Sequence, residues 1–260
     1  MPVDSLALIS PVTAPCRVVA QMTNYVSHVK SAGMDPKTIP LTFFRKASGS
    51  ISGPFDEIIK PPHVKLLDYE VEVGLVIGRD ILVGTELTES NLADFIAGLV
   101  VTNDVSARDV QLTKTQFYEA KSYPTFSPVG PALVLLDAGE LKRFGDLRLR
   151  LRVSGEMRQN MLVDGDMIYK PLQALQALAR FQRLGAGDLV MTGTPVGTAL
   201  GAPPKPIASL LPPAVKWKAF FKRQANNPKY LQHGDIVELS VATDDGAIDL
   251  GTQRTAVRYA

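Results

Sequence analysis

The chain has 260 residues, of which 45% are hydrophobic and 21% are charged, and its formal net charge is +2 at pH 7. These values are typical of a globular protein with one substantial core. The small net charge gives no reason to expect nucleic acid as a partner. No stretch approaches the roughly 18 apolar residues of a membrane span, so we expect no membrane partner either.

Cysteine usage and the N-terminal residues bear on the cellular compartment. The single cysteine, Cys16, excludes an internal disulfide and fits a reducing environment. No basic segment followed by a signal-like apolar stretch occurs at the N-terminus, so we expect a cytoplasmic protein. Cys16 precedes a short apolar run, and we interpret it as a small buried hydrophobic residue rather than a nucleophile.

Short strands separated by turn residues make up most of the chain. Arg148, Arg150 and Arg152 alternate with apolar residues, which indicates a strand with one solvated face. The many strands and few helices predict an α+β, β-dominated fold. The predicted strands are 18–22, 67–78, 96–101, 132–136, 148–153, 156–159, 187–190 and 234–238, with a last hairpin beyond about residue 241.

The clearest helix is predicted over 169–184, where apolar residues recur at helical spacing and Gly185 follows as a C-cap. Residues 31–62 are rich in Gly, Pro and Ser, which is typical of a loop or a lid. A second long segment, 201–232, exceeds the usual length of a connection, and we expect a short amphipathic helix near 214–223. This insertion lies near the mouth of a site, forms a subunit contact, or only fills space.

Two glutamates stand out in the predicted strand 67–78. Glu70 and Glu72 are two residues apart, so in a regular strand their side chains project from the same face. Burying two neighbouring carboxylates is costly, and a hard divalent cation removes that cost. The alternative is an exposed strand edge that carries two solvated glutamates.

A polar cluster follows the apolar run 96–101, at a point where a strand is expected to end. Loops after strands are where a scaffold presents chemically active residues. Asp104 can add a third carboxylate to the glutamate pair, and Arg108 and Gln111 can bind an anionic, planar substrate.

Four short motifs occur in a fixed order along the chain. They are Asp68-Tyr69-Glu70-Val71-Glu72, Asn103-Asp104-Val105-Ser106-Ala107-Arg108-Asp109-Val110-Gln111, Lys121-Ser122 and Thr192-Gly193-Thr194-Pro195. In this order they resemble the fumarylacetoacetate hydrolase superfamily, and the resemblance covers the chain from about Cys16 to the C-terminus.

The resemblance implies a mixed β-roll or β-sandwich with peripheral helices, with residues 1–15 as a peripheral segment and 16–260 as the catalytic domain. The domain includes a lid at about 24–62 and the insertion at about 201–232.

The resemblance also implies roles for individual residues. Glu70, Glu72 and Asp104 are expected to bind a divalent cation, Mg²⁺ first and Mn²⁺ or Ca²⁺ as alternatives. His28 and Lys121 are expected to be catalytic. The residues expected to bind substrate are Arg108, Gln111, Gly193 and Thr194.

The chain departs from the family at one point of the lid. The element Asn24-Tyr25-Val26-Ser27-His28 is similar to the family's Asn-Tyr-x-x-His, in which a glutamate three residues after the histidine helps it to activate water. Here that position is Ser31. Without a carboxylate partner His28 is a weaker base, finds a carboxylate elsewhere, or only positions substrate.

The resemblance implies a metal-dependent hydrolase that cleaves a C–C bond in a diketo acid or acylpyruvate through a metal-bound enolate, in the catabolism of aromatic compounds. Because Ser31 weakens that prediction, isomerisation of a 2-hydroxy-dienoate and decarboxylation of a 2-oxo acid are the leading alternatives. A non-catalytic ligand-binding protein is a further one. We expect a small 2-oxo or diketo acid as the substrate and a homodimer.

Overall fold

The structure is a computed structural model and describes residues 6–114, 117–201 and 220–260. Within these residues the strands form two five-stranded sheets and two short strand pairs. Helices are short and peripheral, which confirms the predicted β-dominated α+β class. None of the helices in the described ranges has both the length and the apolar character that crossing a bilayer requires.

The first sheet has β6 and β7 at one edge and β2 at the other. Its order is β2-β1-β12-β6-β7, in which β1 and β12 run parallel and all other neighbours run antiparallel. These strands are β1 (Val18–Gln21), β2 (Phe43–Lys46), β6 (Val71–Ile77), β7 (Ile96–Asn103) and β12 (Leu189–Met191).

The second sheet supplies the other half of the core. Its order is β11-β10-β13-β14-β4, and only the pair of β14 with β4 is parallel. Its strands are β4 (Ile58–Lys60), β10 (Leu147–Val153), β11 (Glu156–Leu162), β13 (Ile236–Thr243) and β14 (Asp249–Tyr259). The alternation predicted for β10 is confirmed, because its leucines are buried while Arg148 and Arg150 pair with Asp244 on the outer face.

Shorter elements complete the fold. The pairs are β3 (Ile51–Ser52) with β9 (Ser127–Pro128), and β5 (Leu67–Asp68) with β8 (Ser106–Ala107). The α-helices are α1 (Val26–Ser31), α2 (Arg108–Gln111), α3 (Ala138–Leu141) and α4 (Pro171–Ala179), and residues 220–224 are also helical.

The first sheet is buried on both faces. On one face Val71, Val73 and Leu75 join a large core with the leucines of the second sheet. On the other face Val76 and Met191 belong to a smaller cluster that the N-terminal segment and the β3–β9 region cover. Because side chains alternate along β6, Glu72 points to the face of this smaller cluster.

Several predicted elements differ from the structure. The helix predicted over 169–184 is shorter, because Pro171 occupies the first turn of α4 and the helix ends at Ala179, well before Gly185. The predicted strand 132–136 makes only one bridge, between Val134 and Leu99. The part of the insertion at 202–219, including most of its expected amphipathic helix, lies outside the described residues.

Candidate metal and substrate site

Three carboxylates meet at one end of the first sheet. Glu72 lies on β6, Glu70 immediately precedes this strand, and Asp104 immediately follows β7. The antiparallel pairing of the two strands brings them together, and the N–H of Asp104 donates to the carbonyl oxygen of Glu70 at 2.9 Å. One oxygen atom from each carboxylate lies within 4.8 Å of the other two, and all three residues are buried. This arrangement can hold a divalent cation.

The backbone leaves strand geometry at Tyr69 and Glu70. The N–H of Tyr69 donates to the Asp68 side chain at 2.8 Å, and the N–H of Glu70 donates to Oδ1 of Asn103 at 3.0 Å. These side-chain acceptors take the place of ladder partners, and β5 pairs with β8 instead of continuing β6. The prediction of one continuous strand over 67–78 is therefore wrong. Glu70 reaches the carboxylate group from the break between β5 and β6.

Two buried lysines contact the carboxylates. Nζ of Lys121 donates to Oε2 of Glu70 at 2.8 Å and to Oδ2 of Asp104 at 2.5 Å. Nζ of Lys46, at the end of β2, donates to the other oxygen of Asp104 and to the carbonyl oxygen of Phe126 at 2.8 Å. Sequence reasoning did not assign Lys46 to the site. Its signal in the sequence was its place two residues after Phe44, which puts both side chains on the same face of β2.

Arg108 is held by three side chains. Its Nε donates to Oδ2 of Asp68 and one terminal nitrogen donates to Oε1 of Gln111, both at 2.8 Å, while the other terminal nitrogen donates to Glu70. Asp68 also accepts the backbone N–H groups of 199–200, at 2.8 and 3.0 Å. The guanidinium plane is thereby fixed beside the carboxylates. Asp68, which was not predicted as a site residue, links this arginine to the start of the insertion.

Glu70 and Glu72 differ in how well nearby positive charges neutralise them. Burial alone raises the pKa of Glu70, but the positive charges of Lys121 and Arg108 outweigh it and hold this pKa well below its usual range. For Glu72 burial, together with the negative charges of Asp104 and Glu70, raises the pKa well above its usual range. Glu72 makes no ion pair with any lysine or arginine that the structure describes. A divalent cation among these three carboxylates supplies the charge that Glu72 lacks, so the residues present fit such an ion.

The turn at Gly193 and Thr194 closes another side of the site. The N–H of Gly193 donates to Oε2 of Glu72 at 2.7 Å. The hydroxyl of Thr194 donates to the carbonyl oxygen of Val71 at 2.9 Å and accepts from the side chain of Gln159 at 2.9 Å. The proton of this hydroxyl is therefore directed at the protein backbone in the structure. Because the N–H of Gly193 is used by Glu72, the N–H of Thr194 is the backbone donor that these two residues leave for a substrate carboxylate.

His28 lies on α1. The charges of Glu70, Arg108 and Lys121 influence its ionisation, so α1 brings the imidazole near these groups. Burial lowers the pKa of His28, and the charge of Glu70 offsets this only in part. The ring is therefore neutral at pH 7. Its Nδ1 is buried and has no hydrogen-bond partner among the residues that the structure describes.

Cys16 lines a cavity of about 400 Å³ beside β2, together with Arg45, Lys46 and Gly49. Burial, and then the charge of Asp188, raises the pKa of the thiol to about 11. A thiol that stays protonated at neutral pH is a poor nucleophile. Cys16 is half-buried, so the prediction of a fully buried hydrophobic residue is wrong in that respect.

Comparison with known proteins identifies the family. The family described as fumarylacetoacetate (FAA) hydrolase C-terminal matches residues 17–258. The chain belongs to the fumarylacetoacetate hydrolase superfamily. Members of this superfamily are enzymes and include hydrolases, isomerases and tautomerases.

Individual superfamily relatives carry different activities in their names. Oxaloacetate tautomerase Fahd2a, mitochondrial, from Rattus norvegicus is 34% identical over 201 residues, which are 77% of this chain and 62% of that protein. This chain thus spans about three fifths of that relative's length.

Two solved structures of the superfamily match the whole chain. Fumarylacetoacetate hydrolase from Exiguobacterium antarcticum is 30% identical, with a TM-score of 0.75 and 80% of its own chain covered. A probable 2-hydroxyhepta-2,4-diene-1,7-dioate isomerase from Mycobacterium abscessus is 31% identical, with a TM-score of 0.74 and 82% covered. These relatives share the fold and the family, but the reactions given in their names differ.

Proposed function

We propose that this protein is a divalent-cation-dependent enzyme that converts a small 2-oxo carboxylic acid between its keto and enol forms. The observation that carries the proposal is the contact of Lys121 with both Glu70 and Asp104 in a buried group of three carboxylates. A fixed ammonium group beside a cation site can stabilise negative charge that develops on a substrate oxygen. The enolate of a 2-oxo acid carries such a charge next to its carboxylate.

Glu70, Glu72 and Asp104 would hold the cation, with Mg²⁺ as the first candidate because all of the ligands are oxygen atoms. When bound, the cation supplies a Lewis acid for a substrate oxygen. The four buried carboxylates Asp68, Glu70, Glu72 and Asp104 outnumber the buried cations Lys46, Arg108 and Lys121 by one, and a divalent cation would more than offset that single negative charge.

The remaining steps are assigned to side chains of this chain. Lys121 stabilises the enolate oxygen, and Arg108, held rigid by Asp68, faces the same charge. The amide oxygen of Gln111 is used by Arg108, so its NH₂ group is the part that can donate to substrate. At the turn of Gly193 and Thr194, the N–H of Thr194 binds the substrate carboxylate, because the N–H of Gly193 donates to Glu72.

The lack of a carboxylate partner for the His28 ring supports tautomerisation rather than hydrolysis as the reaction. Hydrolysis of a C–C bond needs an activated water, and a histidine that activates water is normally oriented and made more basic by a carboxylate. The hydroxyl of Ser31 donates to the carbonyl oxygen of His28 at 2.8 Å, and Nδ1 of the ring has no hydrogen-bond partner within residues 6–114, 117–201 and 220–260. A neutral, unassisted imidazole is sufficient to move a proton to or from an enol carbon or oxygen.

C–C bond hydrolysis of an acylpyruvate is the second candidate. The nearness of His28 to Glu70 and Arg108, whose charges influence its ionisation, supports it, since the imidazole could then act on a water at the site. In that reaction the water adds to the distal carbonyl, the C–C bond breaks, and the departing enolate takes up a proton. Isomerisation of a 2-hydroxy-dienoate and decarboxylation of a 2-oxo acid share the same enolate. The aromatic-compound pathway, the cytoplasmic location and the homodimer stay predictions.

The test follows substrate absorbance in the ultraviolet with and without Mg²⁺, and identifies products by mass spectrometry. Oxaloacetate is the first substrate, because the relative at 34% identity is named an oxaloacetate tautomerase. An acylpyruvate and a 2-hydroxy-dienoate are run in parallel. The variants are Glu72→Gln and His28→Ala, and Glu238→Gln on β13, which pairs with Arg254 on the surface, is the matched control.

We expect the enol of oxaloacetate to decay faster than in Mg²⁺ without protein, with no change of mass, and Glu72→Gln to abolish the gain. Pyruvate and a free acid from the acylpyruvate, lost in His28→Ala, would instead establish the hydrolase. No Mg²⁺-dependent conversion of any of the three substrates would reject the proposed function.

A further inference from the structure

His28 has no acid on its own helix to hold it. The position three residues later is Ser31, whose hydroxyl bonds the backbone and not the ring. The helix α1 is only six residues long, and its N-cap residue, Tyr25, makes no side-chain capping bond. Such a short helix is marginal by itself, so its position depends on contacts with other segments.

A carboxylate from elsewhere binds the start of this helix. Asp166 lies in the connection between β11 and α4. Its backbone carbonyl accepts the N–H of Val26 at 2.7 Å, its Oδ1 accepts the N–H of Ser27 at 2.7 Å, and its Oδ2 accepts the Ser27 hydroxyl at 2.5 Å. The first N–H groups of a helix have no acceptor within the helix, and a negative charge there is favourable. Asp166 supplies both the acceptors for these N–H groups and a negative charge at the start of the helix.

The same connection binds the residues just before α1. The N–H of Ile168 donates to the carbonyl oxygen of Asn24 at 2.8 Å, and the N–H of Tyr169 donates to Oδ1 of Asn24 at 2.8 Å. Tyr25 forms a bridge with Met167. Each residue from Asn24 to Ser27 is therefore joined to the segment 166–169.

The contact of Asp166 with Ser27 also reaches the substrate turn. The Ser27 hydroxyl accepts the N–H of Val196 at 3.1 Å, two residues after Thr194. Asn24 donates to the carbonyl oxygen of Thr192 at 2.9 Å, on the other side of Gly193. One carboxylate thus ties the helix of His28 to the turn that contacts Glu72.

We propose that Asp166 is the positioning residue of His28: it binds the first turn of α1 and so fixes the helix that carries the imidazole, in place of an acid three residues after the histidine. The carboxylate of Asp166 does not contact the imidazole ring itself; it orients the helix α1 that carries the ring. This inference rests on the proposed function for its effect on turnover. Its effect on the helix is independent of any reaction.

The experiment compares Asp166→Ala and Asp166→Asn with Asp188→Ala. Asp188 is a matched control, because it is a buried loop carboxylate that accepts the N–H groups of Arg17 and Gly185, both at 2.7 Å, at the far end of β12. Hydrogen exchange of a peptide spanning 24–32 is measured by mass spectrometry, together with Mg²⁺ affinity, kcat and KM. Asp166→Ala and Asp188→Ala are then combined with His28→Ala.

We expect Asp166→Ala to raise exchange in 24–32 about tenfold or more, since charge-assisted hydrogen bonds to the helix start are lost. It should lower kcat while Mg²⁺ affinity stays unchanged, with Asp166→Asn in between because its amide oxygen still accepts the N–H of Ser27. Asp188→Ala should leave exchange in this peptide unchanged. In the His28→Ala background Asp166→Ala should cause little further loss of kcat.

Exchange in 24–32 that stays at the wild-type value in Asp166→Ala would overturn the inference. So would kcat losses of Asp166→Ala and His28→Ala that multiply in the double variant, because Asp166 would then act independently of His28. If the wild type converts none of the substrates, the proposed function fails, and the exchange measurement alone decides whether Asp166 holds the helix.

Discussion

Oε2 of Glu72 accepts a hydrogen bond of 2.7 Å from the backbone N–H of Gly193, and no cation of the described chain contacts this carboxylate. The other two carboxylates of the site are paired with Lys46, Arg108 or Lys121. One backbone N–H does not offset the burial of a charge. Glu72 is therefore the residue at which proton binding and cation binding compete.

This competition predicts how stability depends on pH. Without metal, the raised pKa of Glu72 means that the folded protein holds a proton that the unfolded chain releases near pH 4.3. Stability from this group is fully present below that pH and is lost as the pH rises toward the folded pKa. Glu72→Gln removes the ionisation. In chelator, its stability advantage over wild type should grow from pH 5 to pH 8, as measured by urea unfolding.

Mg²⁺ supplies the control for this prediction. The ion binds the ionised carboxylate, so it should stabilise wild type more at pH 8 than at pH 5 and should stabilise Glu72→Gln much less. A stability difference between wild type and Glu72→Gln that does not change with pH in chelator would contradict the raised pKa.

Lys46 gives a second prediction. Its side chain is fully buried between Asp104 and the carbonyl oxygen of Phe126. Lys46→Met keeps much of the volume and leaves the buried charge of Asp104 with Lys121 as its remaining cation. Removing one partner of a buried ion pair costs about 3–5 kcal/mol. Urea unfolding in chelator should show a loss of this size.

Lys60→Met is the comparison for Lys46→Met. Nζ of Lys60 donates to the carbonyl oxygen of Val64 at 2.7 Å and lies over the ring of Tyr259, without a carboxylate partner in the described ranges. Its loss should cost within about 1 kcal/mol. Equal losses in the two variants would mean that Asp104 does not depend on Lys46.

The sequence was informative wherever a feature is local. Glu70, Glu72 and Asp104 lie in short motifs next to strands, and antiparallel pairing of those strands brings them together. The alternation in β10 also follows from a pattern within a few residues. The motifs therefore identified the family and the carboxylate group without any knowledge of the long-range contacts.

Residues that act through distant partners were not found. Lys46 is 58 positions from Asp104, and Asp166 is 139 positions from Ser27, so no spacing rule connects either pair. The break at Tyr69 was missed for a similar reason, since it depends on the side chain of Asn103 accepting a backbone N–H from across the sheet. Local propensity favours a continuous strand, and a tertiary hydrogen bond overrides it.

Thr194 gives a third prediction. Its hydroxyl joins the carbonyl oxygen of Val71 to the side chain of Gln159. Thr194→Val keeps the shape, removes the donor to the buried carbonyl oxygen of Val71 and leaves the amide nitrogen of Gln159 with the carbonyl oxygen of Pro195 as its remaining acceptor. We expect a loss of about 1–3 kcal/mol in unfolding free energy. Thr194→Ser keeps the hydroxyl and should stay close to wild type. If both variants were equally stable, the hydroxyl would not hold the turn.

A comparison of Gly193 with Gly187 separates the energetic cost of backbone strain from the cost of a steric clash. Both have left-handed φ angles, +85° and +87°, in which a side chain costs about 1–2 kcal/mol. A Cβ at Gly187 meets nothing within 4 Å, whereas a Cβ at Gly193 lies 2.9 Å from Cβ of Asn24, which anchors the start of α1. Gly187→Ala should therefore show the strain alone. Gly193→Ala should cost more by urea unfolding and should also weaken Mg²⁺ binding measured by calorimetry, because the N–H bonded to Glu72 must move. Equal costs for the two variants, with Mg²⁺ affinity unchanged, would show that the turn shifts without disturbing the site.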